Sequence, residues 1–308
     1  MEQNIIVTEP ARSIRRIARM ELQGRWKTAI LVYILYFILR FVPTVLIEFL
    51  FGGGTDFFAY EFTVREMRAQ TMSLLYTIVI EGPLYLGLTV FLLSLVRGAK
   101  HSPGMVLDGF NSFFRAMGLF WLVVIFIGLW SLLFFIPGII AAFAYAQAFF
   151  LLADDPHIGL RYAIKQSRRL MIGNKWKFFC LQLSFIGWIC LAWIVYAAIT
   201  VPFGLLPFAL PGIPSIEDGG LLALSSDQAI FLLQIVASLG RVVFAPVYMY
   251  VFTAQAIFYE VLTGRRRFFS AHAGFVADAA AGGGEAWRPE ADTERADGAP
   301  GGRDSGSE

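Results

Sequence analysis

Five stretches of the chain are apolar almost throughout: residues 28–51, 72–96, 117–152, 178–201 and 228–261. A helix needs ~20 such residues to cross a ~30 Å hydrocarbon layer, so each run predicts at least one membrane-spanning helix. The third run would be ~54 Å long as one helix, too long for one crossing and slightly short for two full ones. Ile136-Pro137-Gly138 interrupts it near the middle. Proline there removes a helix hydrogen bond, and glycine permits a turn.

The positions of Lys and Arg set the number of crossings, because short cytoplasmic loops carry an excess of them. Arg12, Arg15, Arg16, Arg19, Arg25 and Lys27 precede the first run, and Arg97, Lys100 and Arg115 follow the second. Six more lie between Asp154 and Lys177, and another six follow the last run. Residues 52–71 hold only Arg65 and Arg68, and residues 202–227 have neither Lys nor Arg. Both flanks of the 36-residue run are therefore cytoplasmic, and an even number of passes lies between them. Two short spans around Pro137, or a re-entrant hairpin, satisfy that. The reading taken is six spans with both termini inside.

The runs also repeat. Gly24-Arg25-Trp26-Lys27 enters the first span, and Gly173-Asn174-Lys175-Trp176-Lys177 enters the fifth. Ala146-Gln147-Ala148-Phe149-Phe150 after Pro137 parallels Ala254-Gln255-Ala256-Ile257-Phe258 after Pro246, and Pro83 opens the second member of the first pair. These parallels suggest three hairpins of like orientation. The segments ahead of them have an amphipathic pattern. Arg12, Arg15, Arg16 and Arg19 form one basic stripe. Asp155 and Pro156 suit the cap and first position of a helix that sets Leu160, Ile164, Ser167 and Met171 on one face and Arg161, Lys165 and Arg168 on another. Ser102-Pro103 starts a third, more apolar segment. The fold expected is all-α and polytopic, with about six transmembrane helices as three hairpins and cytoplasmic amphipathic helices.

Composition agrees with a lipid environment. The 308 residues are 57% apolar and 16% charged, with a mean hydropathy of +0.64, whereas soluble domains are ~25% charged. The net charge of +2 hides an asymmetry, since residues 278–308 hold eight acids and three arginines. That end is too poor in aliphatic residues to offset chain entropy and reads as disordered. Residues 1–27 are thus expected to be a basic cytoplasmic segment, 28–262 the transmembrane domain, and 263–308 a cytoplasmic tail. No small-residue cleavage site follows the first span, which is expected to be retained. Cys180 and Cys190 would stand ~15 Å apart along one helix, too far for a disulfide.

Three ionisable residues fall inside spans. Arg40, Glu81 and Arg241 lie ~16, ~13 and ~18 Å from the outer ends of their runs at the helical rise. A charge there costs ~2.5–3.5 kcal/mol on the insertion scale and usually faces protein or a water-filled cavity. Arg40 and Glu81 sit at matching depth on adjacent antiparallel spans and are expected to pair. Arg241 is left for a second shared contact or an anionic ligand. Glu81-Gly82-Pro83 is a weak point able to free backbone carbonyls toward a cavity.

Catalytic signatures are missing from the sequence. There is no G-x-x-x-x-G-K phosphate loop and no G-x-S-x-G elbow. His101, His157 and His272 lack metal-binding spacing. No cofactor or metal is expected, and the basic stripes lack the interleaved aromatics of a nucleic-acid surface.

Gly24-Arg25-Trp26-Lys27-Thr28-Ala29-Ile30, Gly82-Pro83-Leu84-Tyr85-Leu86-Gly87-Leu88, Ile136-Pro137-Gly138-Ile139-Ile140 and Gly173-Asn174-Lys175-Trp176-Lys177 occur in this order. With the run from Asn174 through Ser184-Phe185-Ile186-Gly187-Trp188, they resemble an uncharacterised bacterial membrane family, the domain-of-unknown-function family numbered 975. The likeness runs over about residues 20–262, and the loop at 202–227 and the acidic tail depart from it. It implies a multi-pass protein of the bacterial cytoplasmic (inner) membrane and carries no catalytic residues. The functional expectation is a non-enzymatic envelope scaffold or accessory subunit. Arg12, Arg15, Arg16, Arg19, Trp26, Arg161, Lys165, Arg168 and Trp176 would contact anionic phospholipids or a membrane-protein partner. The alternative is a transporter or channel with a polar site around Arg40, Glu81 and Arg241.

Overall fold

The computed structural model describes residues 5–51, 64–209 and 240–265. The described residues are mostly helical, with no strand among them. Six helical stretches are long and apolar enough to cross a membrane: Trp26–Ile47, Met67–Val96, Pro103–Leu133, Phe135–Asp154, Lys175–Val201 and Arg241–Leu262. The tail and the charge-poor loop at 202–227, apart from its helical start, lie outside the described residues, as does the beginning of the last apolar run.

The first hairpin is α2 (Trp26–Phe51) against α3 (Val64–Val96). Each contains a proline, and in each a neighbouring side chain bonds a carbonyl about one turn before it. Pro43 in α2 cannot donate to Leu39, and the Tyr76 hydroxyl of α3 donates to the Leu39 carbonyl at 2.5 Å. Upstream of Pro83 in α3, the indole N–H of Trp121 donates to the Ile78 carbonyl at 2.9 Å.

A 3₁₀ segment, Pro103–Ser112, leads into α4 (Phe113–Leu133). It is pressed backbone to backbone onto α3 because Gly87 and Gly109 face each other there. A Cβ on Gly87 would collide with the Val106 carbonyl, and one on Gly109 with the Pro83 carbonyl. Gly82 makes a similar approach to Ala116 and Met117. These contacts give a physical reason for the Gly82-Pro83-Leu84-Tyr85-Leu86-Gly87 motif: α3 must lack side chains where its neighbours cross.

The 36-residue run forms two helical passes, α4 and then α5 (Phe135–Tyr145) with α6 (Ala148–Asp154). The break falls at Phe134, whose backbone is extended (φ −159°, ψ 148°), while Pro137 lies in the first turn of α5. Proline fits a helix's opening residues, where the missing N–H has no intrahelical partner. The turn therefore comes before Pro137.

The amphipathic segments are helices α1 (Ala11–Leu22) and α7 (Leu160–Leu170). Both end at glycines in the left-handed region, Gly24 and Gly173, each with φ of 79°. From there the chain enters α2 and α8 (Lys175–Leu183), so the Gly24-Arg25-Trp26-Lys27 and Gly173-Asn174-Lys175-Trp176-Lys177 entries both turn on a left-handed glycine. The start expected for α7 needs correction. Gly159 precedes its first residue, Asp154 ends α6, and the Asp155 carboxylate accepts the His157 N–H at 2.9 Å. The Asp-Pro pair makes a turn between helices.

After a kink at Ser184–Phe185, α9 (Ile186–Ala209) continues the fifth span, and the 3₁₀ turn Arg241–Phe244 opens α10 (Ala245–Leu262). Helix α10 is largely buried, with Met249, Ala254, Phe258 and Tyr259 enclosed. Much of α9 is exposed, including Leu191, Ile194 and Val201. It meets α10 chiefly through Trp193 and Tyr196 against Phe244.

Candidate functional site

Because α9 stands away from the bundle, a cavity of about 780 Å³ opens between α2, α3, α9 and the start of α10. Helical spacing builds it. Tyr33, Phe37, Arg40, Phe41 and Thr44 share one face of α2, while Ser73 and Thr77 face them from α3. Trp193 and Tyr196 form the α9 wall, and Arg241, Phe244 and Tyr248 close it from α10 and its entry turn. Tyr33 stacks on Tyr248 at 5.5 Å.

The structure brings two of the three intramembrane charges into direct contact. Arg40 Nε lies 2.7 Å from Glu81 Oε2 but off the N–H direction, so this oxygen is held by charge and receives no directed hydrogen bond. The Tyr36 hydroxyl donates to the other oxygen at 2.9 Å. Arg241 lines the same cavity, its guanidinium 5.9 Å from the centre of the Phe41 ring. It has no carboxylate partner among the described residues. The apolar run that holds it begins at residue 228, outside the described residues. Arg40 lies seven residues after Tyr33 and Arg241 seven before Tyr248, so the Tyr33–Tyr248 stack sets the two arginines at about one level.

A second charge cluster, unforeseen in the sequence, lies at the end of the bundle that carries α1 and α7, called here the basic end. Arg97 follows α3. It donates from Nη2 to Asp154 Oδ1 at 2.6 Å and from Nη2 and Nε to Glu260 Oε1 at 2.7 and 2.9 Å. Asp154 Oδ2 accepts from Arg265 at 2.7 Å and from the Tyr259 hydroxyl at 2.5 Å. Each hairpin contributes the end of its second helix: Arg97 after α3, Asp154 on α6, Glu260 on α10. Burial works against the charge on Arg97, but its hydrogen bonds to Asp154 and Glu260 outweigh that and raise its pKa above the usual guanidinium value. Asp154 and Glu260 are the centre of this knot.

The basic stripe of α1 divides. Ile14, Ala18 and Leu22 are buried, and α1 packs on α10 and α8. Arg12, Arg16 and Arg19 stay exposed, with Arg19 over the Tyr250 ring at 5.9 Å. Arg15 is half-buried and donates to the Ser184 carbonyl at the α8–α9 kink. On α7, Ala163, Ile164 and Ser167 point inward, while Arg161, Lys165, Arg168 and Arg169 are exposed. Trp26 is half-buried beside Tyr250, whereas Trp176 is exposed. Asn174 was read as part of a span entry, yet it is fully buried. It accepts the Val7 N–H at 2.8 Å and donates to the Ile5 and Leu170 carbonyls.

Helices of this length and apolarity define a multi-pass α-helical membrane protein. Residues 120–266, just under half of the chain, match the family described as protein of unknown function (DUF975). The match spans Ile136-Pro137-Gly138, the Asn174-Lys175-Trp176-Lys177 entry and the Ser184–Phe185 kink; the motifs at Gly24 and Gly82 precede it. No curated protein and no solved structure matches the chain.

Proposed function

We propose that the protein is a non-enzymatic scaffold or accessory subunit of the bacterial cytoplasmic membrane, with both termini inside, and that its basic end holds anionic phospholipid and through it a membrane-protein partner. One observation carries this reading. Helices α1 and α7 spend their apolar faces on the bundle, so Arg12, Arg16, Arg19, Arg161, Lys165, Arg168 and Arg169 point outward with no carboxylate partner among the described residues. Each such cation gains ~1 kcal/mol beside anionic lipid, and the exposed Trp176 ring suits the headgroup layer.

The test is lipid analysis of the full chain extracted in native-membrane discs. Changing Arg161, Lys165, Arg168 and Arg169 to Gln is expected to lower co-extracted anionic lipid by about half. Unchanged lipid and an unchanged set of co-extracted proteins would overturn the reading. The cavity favours a second reading, a transporter or channel around Arg40, Glu81 and Arg241. Against conduction, α10 is buried almost continuously from Met249 to Leu262 below the cavity, which supports a blind pocket. Solute flux in proteoliposomes that Glu81→Gln abolishes would support transport.

A further inference from the structure

The cavity is unbalanced in charge. Arg40 is compensated by Glu81, whereas Arg241 faces the space with the Phe41 ring beneath it and no acid among the described residues. One Glu81 oxygen also lacks a directed hydrogen bond, so the Arg40–Glu81 pair is electrostatic and leaves guanidinium N–H groups to donate elsewhere. Tyr33 and Tyr248 line the same space, and neither phenolic hydroxyl makes a hydrogen bond among the described residues. An exposed guanidinium in an apolar layer requires a polar counter-group, and here the donors converge on a common volume. At about 780 Å³ the space falls within the ~300–1,000 Å³ of ligand sites, which combine apolar walls with a few placed polar groups. Beside it, Val42 and Leu46 on α2 and Val195 and Ile199 on α9 are exposed and apolar, as surfaces against acyl chains would be.

We propose that this cavity binds a membrane lipid through its anionic headgroup. Arg241 is the primary contact, Arg40 the second donor, and Phe37, Phe41 and Trp193 form the walls. The Phe41 ring holds the Arg241 guanidinium by cation–π attraction, and the anion supplies the charge that the described residues do not place there. The site is separate from the cationic face of α1 and α7, so neutralising that face leaves it intact.

The test reconstitutes the full chain in phosphatidylcholine vesicles that carry brominated phosphatidylglycerol or, in parallel, brominated phosphatidylcholine. Bromine quenches tryptophan on contact, and the fluorescence lost in Trp193→Phe isolates the share of Trp193. Phosphatidylglycerol is expected to quench that share at about tenfold lower mole fraction, the equivalent of one charge-assisted contact. Arg241→Gln should abolish the preference, and Arg241→Lys should keep most of it. Excess inorganic phosphate should leave it unchanged. Equal quenching by the two lipids, or a preference that survives Arg241→Gln, overturns the proposal. Displacement by inorganic phosphate overturns the lipid assignment in favour of a soluble anion. If Arg241→Gln does not fold, Phe41→Leu replaces it. This variant removes the ring and no charge, with about a threefold loss expected; no loss overturns the role of Arg241.

Discussion

Two groups of charges sit at different levels of this bundle, and their geometries differ. At the basic end, Asp154 and Glu260 side chains are 8% and 3% exposed, and the two guanidiniums of Arg97 and Arg265 balance them. Nearer the other end, Arg40 is 51% exposed beside Glu81 at 13%, and Arg241 adds a cation without an acid among the described residues. The first group is closed: its acids are enclosed, its charge sums to zero, and it joins all three hairpins. The second is open toward a cavity. A closed knot fastens helices, whereas an open, unbalanced cluster is poised to take a ligand.

The largest expected effect tests the closed half. Asp154→Ala removes the shared acceptor of Arg97, Arg265 and Tyr259 and leaves the hydroxyl of the buried Tyr259 unpaired. The orphaned hydroxyl and the lost, partly exposed ion pairs are expected to cost about 2–3 kcal/mol, to be read as loss of stability in unfolding by denaturing detergent. Asp155→Ala, which removes only the local hydrogen bond to the His157 N–H, should cost under ~1 kcal/mol. Similar losses from the two adjacent acids would show that the knot is not what joins the hairpins.

A smaller loss is expected from the open half. Glu81→Gln keeps an acceptor for the Tyr36 hydroxyl but removes the charge opposite Arg40. Because Arg40 is half-exposed, its guanidinium can turn toward lipid headgroups or water, and about 1–2 kcal/mol is expected by the same measurement. A loss as large as that from Asp154→Ala would make the pair a structural lock and erase the contrast.

The two clusters were also unequally legible in the sequence. Arg40 and Glu81 occupy consecutive antiparallel spans, so counting residues from a shared loop placed them at one depth. Arg97, Asp154 and Glu260 are separated by 57 and 106 positions and meet only once three hairpins have packed. Local pattern even misdirected the reading, because Asp-Asp-Pro is good helix-start chemistry and tertiary pairing took Asp154 instead. The apolar faces of α1 and α7 were visible as periodicity. Periodicity tells that a face is buried but not against what, and for α1 the answer is α10. Nothing in the local pattern singles out Gly87 and Gly109, although their function is to let two backbones touch. That requirement belongs to the neighbour and leaves no mark at the glycine itself.

The finest discrimination comes from replacing arginine by lysine in each cluster. Arg97 uses Nε and Nη2 on Glu260 and Nη2 on Asp154, a planar fork that a lysine ammonium cannot reproduce. Arg97→Lys should therefore cost about 1 kcal/mol although the charge is kept. Arg40 approaches Glu81 off its N–H direction, so its attraction is that of a point charge. Arg40→Lys should change stability by no more than ~0.5 kcal/mol. The difference between these two substitutions measures how far geometry, beyond charge, was built into each site. Equal losses would mean that the open cluster is as directional as the closed one, and the cavity beside it would then be a gap in a structural lock.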